Sequence, residues 1–216
     1  KIGVTPYYKR EKETVLIPSQ QNLKILLVRH APVDPPGYLY GSTDADIEKV
    51  SSQISKSIYA RLSDCRAFYC SPALRCIKTY QAVFPERPLP VKIHEFWEQD
   101  FGDWESLPYD EIPDQGNLSG KNLAQFSPPN GESFAELCQR TQPLLLKIIS
   151  ERKVGEIAIF THAGVIRSFL ALALGSKEVA LKFSVDNLSI TGIQALSDGQ
   201  FSISFVNQIA ALKCVW

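Results

Sequence analysis

No apolar run in this 216-residue chain approaches the roughly 18 residues that a membrane-spanning helix needs, so a membrane partner is not expected. Excess charge is missing too: 23 basic side chains balance 23 acidic ones. A balanced chain gives no electrostatic reason for nucleic acid or anionic lipid as its main partner. The N-terminal stretch "KIGVTPYYKREKETVLIPSQ" lacks the continuous apolar core of a signal peptide. The five cysteines (Cys65, Cys70, Cys76, Cys138 and Cys214) are odd in number and lack metal-ligand spacing. The reducing cytoplasm is the simplest location for them, and they read as small buried hydrophobes. Methionine is absent, no internal repeat or low-complexity tract occurs, and there are only three histidines. With so few, the places where histidine does occur carry information.

What is present suits one sizeable core; two full domains would be cramped in this length. Residues 1–22 are polar and without period, which predicts a loosely attached extension preceding a single domain over 23–216. "KILLV" (24–28) is too short for a helix and predicts a fully buried strand. Ile47, Val50, Ile54, Ile58 and Leu62 recur at helical spacing and predict a helix over 46–62. "AFYC" (67–70) predicts the next strand, followed by a helix with Ser71 as N-cap and Pro72 at its first position. "VKI" (91–93) is a short strand. The Pro-, Gly-, Asn- and Asp-rich stretch 105–130 predicts a long excursion, and with the residues from about 96 it forms a candidate lid. A helix over 132–151 containing Pro143, a strand "EIAIFT" (156–161) and a buried helix ending at Gly175 follow. A short helix near 177–183 and two strands joined by "SDG" close the chain. Strands alternating with helices predict an α/β three-layer sandwich, with a mostly parallel (mixed) sheet and helices on both faces.

Three strand-to-helix junctions carry unusual polar residues: Arg29-His30, Ser71 with Arg75, and Thr161-His162. Two of the three histidines directly follow apolar strands. His94 follows only the weak strand "VKI" and reads as structural or surface. In an open parallel sheet, ligands bind in the crevice beyond the strand carboxyl ends. Helix N-termini also point their amides there, which favours an anion. Two arginines offer planar forks matched to phosphoryl oxygens, so the convergence predicts a phosphate-sized site. No carboxylate or histidine cluster has metal-ligand spacing.

The ordered motifs "LVRHA", "SPALRCIKT", "EQDFGDWE" and "FTHAGVIR" resemble the histidine phosphatase superfamily, also called phosphoglycerate-mutase-like. The likeness runs from about residue 24 to the end of the chain. It implies that His30 attacks the phosphoryl group and becomes phosphorylated, while Arg29, Arg75 and His162 hold the phosphoryl oxygens. It implies Glu98 as the proton donor, with Glu95 and Asp100 as rivals, and neither metal nor other cofactor. Ser42, Thr43 and Trp104 are possible substrate contacts. Ala31 stands where the family often has glycine, which is tolerated if the backbone there has ordinary φ. Pro36 occupies a place where an Asn near the phosphate would favour a mutase.

Between Lys92 and Arg140 one basic residue, Lys121, faces ten acids and several aromatics. Such a lid suits a small phosphomonoester with a flat, neutral or partly cationic ring body better than one with a second anionic group. "FGDWE" and "NGESFAEL" look most like the α-ribazole phosphatase branch, which serves the lower-ligand assembly of cobalamin. A broad-specificity phosphatase, a phosphoglycerate mutase and a non-catalytic phospho-ligand binding protein on the same fold remain as alternatives.

Overall fold

Four consecutive apolar residues need dry surroundings on both faces, and strand β1 (Leu23–Arg29) finds them near the centre of a six-stranded sheet. The computed structural model describes residues 22–116, 118–152 and 155–209. The expected N-terminal extension, apart from Asn22, and Cys214 lie outside them. β1 pairs in parallel with β6 (Gly155–Thr161), which pairs in parallel with β4 (Ala67–Cys70), and β4 likewise with β5 (Val91–Lys92). On its other side β1 meets β7 (Ser189–Ala195) antiparallel, and β7 meets β8 (Phe201–Ile209) antiparallel. β7 therefore runs against the other five strands. The strands β2 (Val33–Asp34) and β3 (Asp46–Ile47) form a separate two-stranded ribbon.

Alternation along β1 sends side chains to two cores. Leu26 and Val28, with Ala158 and Phe160 of β6, face α1 (Ser52–Arg61) and α2 (Leu74–Val83) through Ile58, Cys76, Tyr80 and Val83. Leu23, Ile25 and Leu27 face the opposite layer. There α4 (Phe134–Arg152) and α5 (Ala163–Leu174) supply Leu137, Leu145, Ile166 and Phe169. The short helices α3 (Gly120–Gln125) and α6 (Lys177–Ala180) pack beside this layer. Each fully buried Leu or Ile contributes on the order of 2 kcal/mol, so the sheet is held from both sides. Among the described residues no helix is long and apolar enough to cross a membrane.

Two expected boundaries move. The helix predicted over 46–62 begins at Ser52, because Ser51 accepts the Ile54 N–H as N-cap, while Asp46 and Ile47 pair with β2. The helix expected from Pro72 begins at Leu74. Its first turn is capped from outside by Asp44, whose carboxylate accepts the Leu74 N–H at 2.9 and 3.0 Å. The excursion after residue 104 is mostly irregular, with a short 3-10 turn at Tyr109–Glu111 and helix α3. Its start is tied down by Leu39 N–H donating to Leu107 O and Tyr109 N–H donating to Gly37 O.

Candidate active site

The parallel register brings three strand ends level. His30 N–H donates to Thr161 O at 3.0 Å and Ser71 N–H to Phe160 O at 2.9 Å, so each ladder continues one residue past its strand. His30, Ser71 and His162 emerge side by side, and the rings of His30 and His162 sit edge to face at 5.2 Å. Arg75, in the first turn of α2, is fully buried against them.

His30 Nδ1 lies 2.7 Å from Ala31 O. A carbonyl can only accept, so Nδ1 carries the hydrogen and Nε2 keeps its lone pair. Burial, followed by the fields of Arg75 and Arg29, pushes the His30 imidazole well below its usual pKa. It is neutral at pH 7. The turn after it is fixed by Ala31 N–H donating to Thr79 Oγ1, which in turn donates to Arg75 O. Ala31 has no positive φ, which is why alanine fits there.

His162 is pinned at both ring nitrogens. Arg75 Nε–H donates to its Nδ1 at 3.1 Å, and its Nε2–H then donates to Ser71 Oγ at 2.8 Å. Burial first, then Arg75 and His30, hold its pKa well below the usual histidine value. Trp97 stacks on its ring at 6.4 Å and also lies under the Arg75 guanidinium. Arg75 donates further to Gly41 O at 2.6 Å and Thr43 O at 2.9 Å.

Arg29 donates through one terminal nitrogen to Val185 O at 2.6 Å, while its buried Nε has no hydrogen-bond partner among the described residues. Burial lowers its pKa from the usual arginine value; Glu98 pulls the other way, and Arg167 adds like-charge repulsion. An orphaned buried donor beside a second guanidinium fits a place meant for an anion.

Arg29 and His30 open into a cavity of about 180 Å³ walled by Tyr38, Tyr40, Phe101, Tyr109 and Phe134. Of the residues lining it, Glu98 is the only carboxylate. Glu98 is almost fully buried, its oxygens accepting Gln99 N–H at 2.9 Å and Gly164 N–H at 3.0 Å, the latter in the first turn of α5. The rivals Glu95 and Asp100 border a second cleft that Glu98 also lines, together with Ser42 and the exposed His94. Thr43 faces Arg75 through its backbone carbonyl. Trp104 is not brought to the cavity: it stacks on Phe126 at 5.7 Å.

A model of the histidine phosphatase superfamily (branch 1) matches residues 25–209. The chain belongs to that superfamily. The bifunctional protein Rv2228c of Mycobacterium tuberculosis is 28% identical over 160 residues, covering 71% of this chain and 43% of that protein. The chain thus spans less than half the length of this curated relative. A candidate alpha-ribazole-5'-P phosphatase from Escherichia coli superposes with a TM-score of 0.73 at 23% identity, covering 88% of this chain and 98% of that one. Phosphoserine phosphatase from Entamoeba histolytica, in complex with phosphoserine, superposes with a TM-score of 0.74 at 20% identity, covering 88% and 100%. These two likenesses speak for the histidine phosphatase fold.

One cavity residue escaped the sequence reading. Arg167 lines the same cavity as Arg29, donating through Nε to Phe183 O at 2.9 Å. It sits four and three residues after Ala163 and Gly164, which line the same cavity, so one turn of α5 returns it to the crevice, a spacing that "FTHAGVIR" displays. The acidity of the lid is also not what composition implied. Glu105 binds backbone amides, Glu132 binds Arg140, Asp103 binds Asn130 and Glu136 binds Ser133, and none of these four acids lines the cavity beside His30.

Proposed function

We propose that this superfamily member is a phosphomonoester hydrolase working through a phosphohistidine on His30, with residues 96–130 as the lid over its substrate. The observation that carries the reading is the His30 ring itself: neutral, with Nδ1–H held by Ala31 O, and Nε2 free beside two arginines. Nε2 attacks phosphorus and the bond to the leaving oxygen breaks, while protonated Glu98 gives that oxygen its proton. Glu98, now a carboxylate, takes a proton from water as the water displaces His30 and phosphate leaves. Arg29, Arg75 and His162 meet the charge on the equatorial oxygens, His162 by turning its Nε2–H from Ser71 Oγ to the phosphoryl group. The buried reduced cysteines suit the cytoplasm.

For the substrate, the aromatic walls of the cavity support a flat ring body, and α-ribazole 5'-phosphate is the candidate that the "FGDWE" motif brings forward. Arg167 favours a second reading, a phosphomonoester carrying a carboxylate, of which phosphoserine is one example. A His30→Ala variant should lose at least about a thousandfold in kcat, the loss typical for removal of a covalent nucleophile. A denaturing alkaline quench of the wild type during turnover should trap phosphate on His30 that is stable to base and released by acid. Full activity in H30A sinks the mechanism. Comparing kcat/KM for α-ribazole 5'-phosphate, phosphoserine and 3-phosphoglycerate decides between the two substrates. Phosphate transfer that depends on a bisphosphorylated primer, in place of release, identifies a mutase.

A further inference from the structure

Glu105 closes the motif "FGDWE", and among the described residues its carboxylate forms no ion pair. It accepts four backbone N–H groups instead: Gly41 and Thr43 at 3.0 Å on one oxygen, Ser42 and Phe101 at 2.9 Å on the other. Three successive amides converging on one carboxylate make an anion nest filled from within the chain. The same residues present their other side to Arg75, because Gly41 O and Thr43 O are the acceptors for its terminal nitrogens. Residues 41 and 43 are therefore held by Glu105 through their amides and hold Arg75 through their carbonyls.

The donor count of Arg75 shows what this achieves. A guanidinium has five N–H groups. One goes to His162 Nδ1, one to Thr43 O and one to Gly41 O, leaving one on each terminal nitrogen, of which Nη1 also lies 3.6 Å from the exposed Asp44 carboxylate, outside hydrogen-bond length. Those two are a fork aimed by the three bonds already made, the geometry a phosphoryl group accepts. Gly41 is also the one residue type that fits: a Cβ there would run into Gln99 O, Glu105 Oε1 and Phe101. Burial would raise the Glu105 carboxyl, but the amides of Phe101, Thr43 and Gly41 outweigh it and hold the pKa below the usual value. The carboxylate thus stays ionised, with its acceptor capacity intact, throughout the neutral range.

We propose that Glu105 is a positioning residue for phosphoryl transfer, acting through loop 41–43 to aim the Arg75 guanidinium. The proposal rests on the phosphatase reading and predicts a specific defect in oxyanion binding. A displacement of about 1 Å in such a group costs up to about a hundredfold in rate.

The probe is inorganic phosphate as a competitive inhibitor, measured with the hydrolysis of a generic aryl phosphate. In Glu105→Gln the carboxamide turns an NH2 toward amides that need an acceptor. The phosphate Ki should rise about tenfold or more, with kcat/KM falling in step, while near-UV circular dichroism stays native. Glu105→Asp keeps the charge and should recover part of the loss. In an Arg75→Lys background, which lacks the fork, E105Q should add less than a twofold change. A folded E105Q whose phosphate Ki stays within twofold of wild type overturns the proposal. So does an E105Q effect that is undiminished when Arg75 is already Lys, since Glu105 would then act by another route. If E105Q does not fold, E105D and Gly41→Ala disturb the same loop from either side and are read by the same Ki ratio, a ratio within twofold overturning the proposal. A wild type that hydrolyses no phosphomonoester refutes the phosphatase reading instead, which keeps the two failures apart.

Discussion

At the scale of single residues, the site is made by positions whose side chains are small or absent as much as by its charged groups. Gly164, in the first turn of α5, gives its amide to Glu98 Oε2 at 3.0 Å. A Cβ on Gly164 would run into Glu98 Oε1 and come within 2.9 Å of Leu137 Cδ2. Glu98 cannot stay where it is beside an alanine there. Gly164→Ala therefore sets helix propensity against catalysis. In a helix alanine gains up to about 1 kcal/mol over glycine, so thermal stability should change little. Activity should fall: with Glu98 displaced, kcat should drop about tenfold or more, while phosphate binding through Arg29, Arg75 and His162 changes much less. Kinetics with a phosphate Ki measurement check this, and wild-type kcat in G164A would show that Glu98 is not the proton donor.

At the scale of elements, the loop after β2 does for α2 what the sequence assigned to Ser71. The expectation that Ser71 caps α2 followed a sound local rule, since Ser-Pro before an apolar run is a common helix start. Tertiary context adds to it: the Ser71 hydroxyl accepts the Ala73 N–H at 3.3 Å and the His162 Nε2–H at 2.8 Å, while Asp44 reaches over to cap Leu74, where the helix proper begins. Asp44 also lies 3.6 Å from Arg75 Nη1, so its removal is read on stability and that of Ser71 on kinetics. Asp44→Ala should lower stability by about 1 kcal/mol, the usual worth of an N-cap, and Ser71→Ala should leave that cap in place. Ser71→Ala should instead lower kcat/KM by freeing the His162 ring. Urea denaturation beside steady-state kinetics tests the pair, and an S71A variant with wild-type kinetics would remove the orienting role. The same contrast explains what was legible in advance. The sheet, its layers and the meeting of Arg29, His30, Arg75 and His162 follow from period and from strand-to-helix junctions, which are local signals. The destination of a hydrogen bond is not local. Nothing in "FGDWE" says that Glu105 binds loop 41–43, and a count of lid acids could not tell which of them line the cavity. Arg167 was hidden by reading each cation only against its own junction.

At the scale of the whole molecule, the site imposes a pH dependence on stability that can be read apart from other titrations. His30 and His162 both have folded-state pKa values well below the usual 6.5, caused first by burial and then by Arg75. Between their folded and unfolded values the unfolded chain binds more protons than the folded one, so stability increases with pH there. Folding is therefore opposed increasingly as pH falls below about 6.5, and stability is flat above it as far as these two groups are concerned. Each such histidine contributes a slope of up to about 1.4 kcal/mol per pH unit. Glu105, Asp46 and Glu136 also have depressed pKa values, but the stability they add is present above the usual carboxylate pKa and is lost only as pH falls through their still lower folded values. The interval from pH 6.5 to 5 thus isolates the histidines from the carboxylates. Urea midpoints measured across it should fall steadily toward pH 5, and His162→Asn, which removes one buried imidazole while keeping hydrogen-bonding capacity, should reduce the slope. Imidazole proton shifts of His30 and His162 recorded over the same range should show no midpoint at or above 6.5. A midpoint there for either ring would mean that the crevice does not hold it neutral, and the neutral nucleophile on which the mechanism depends would have to be given up.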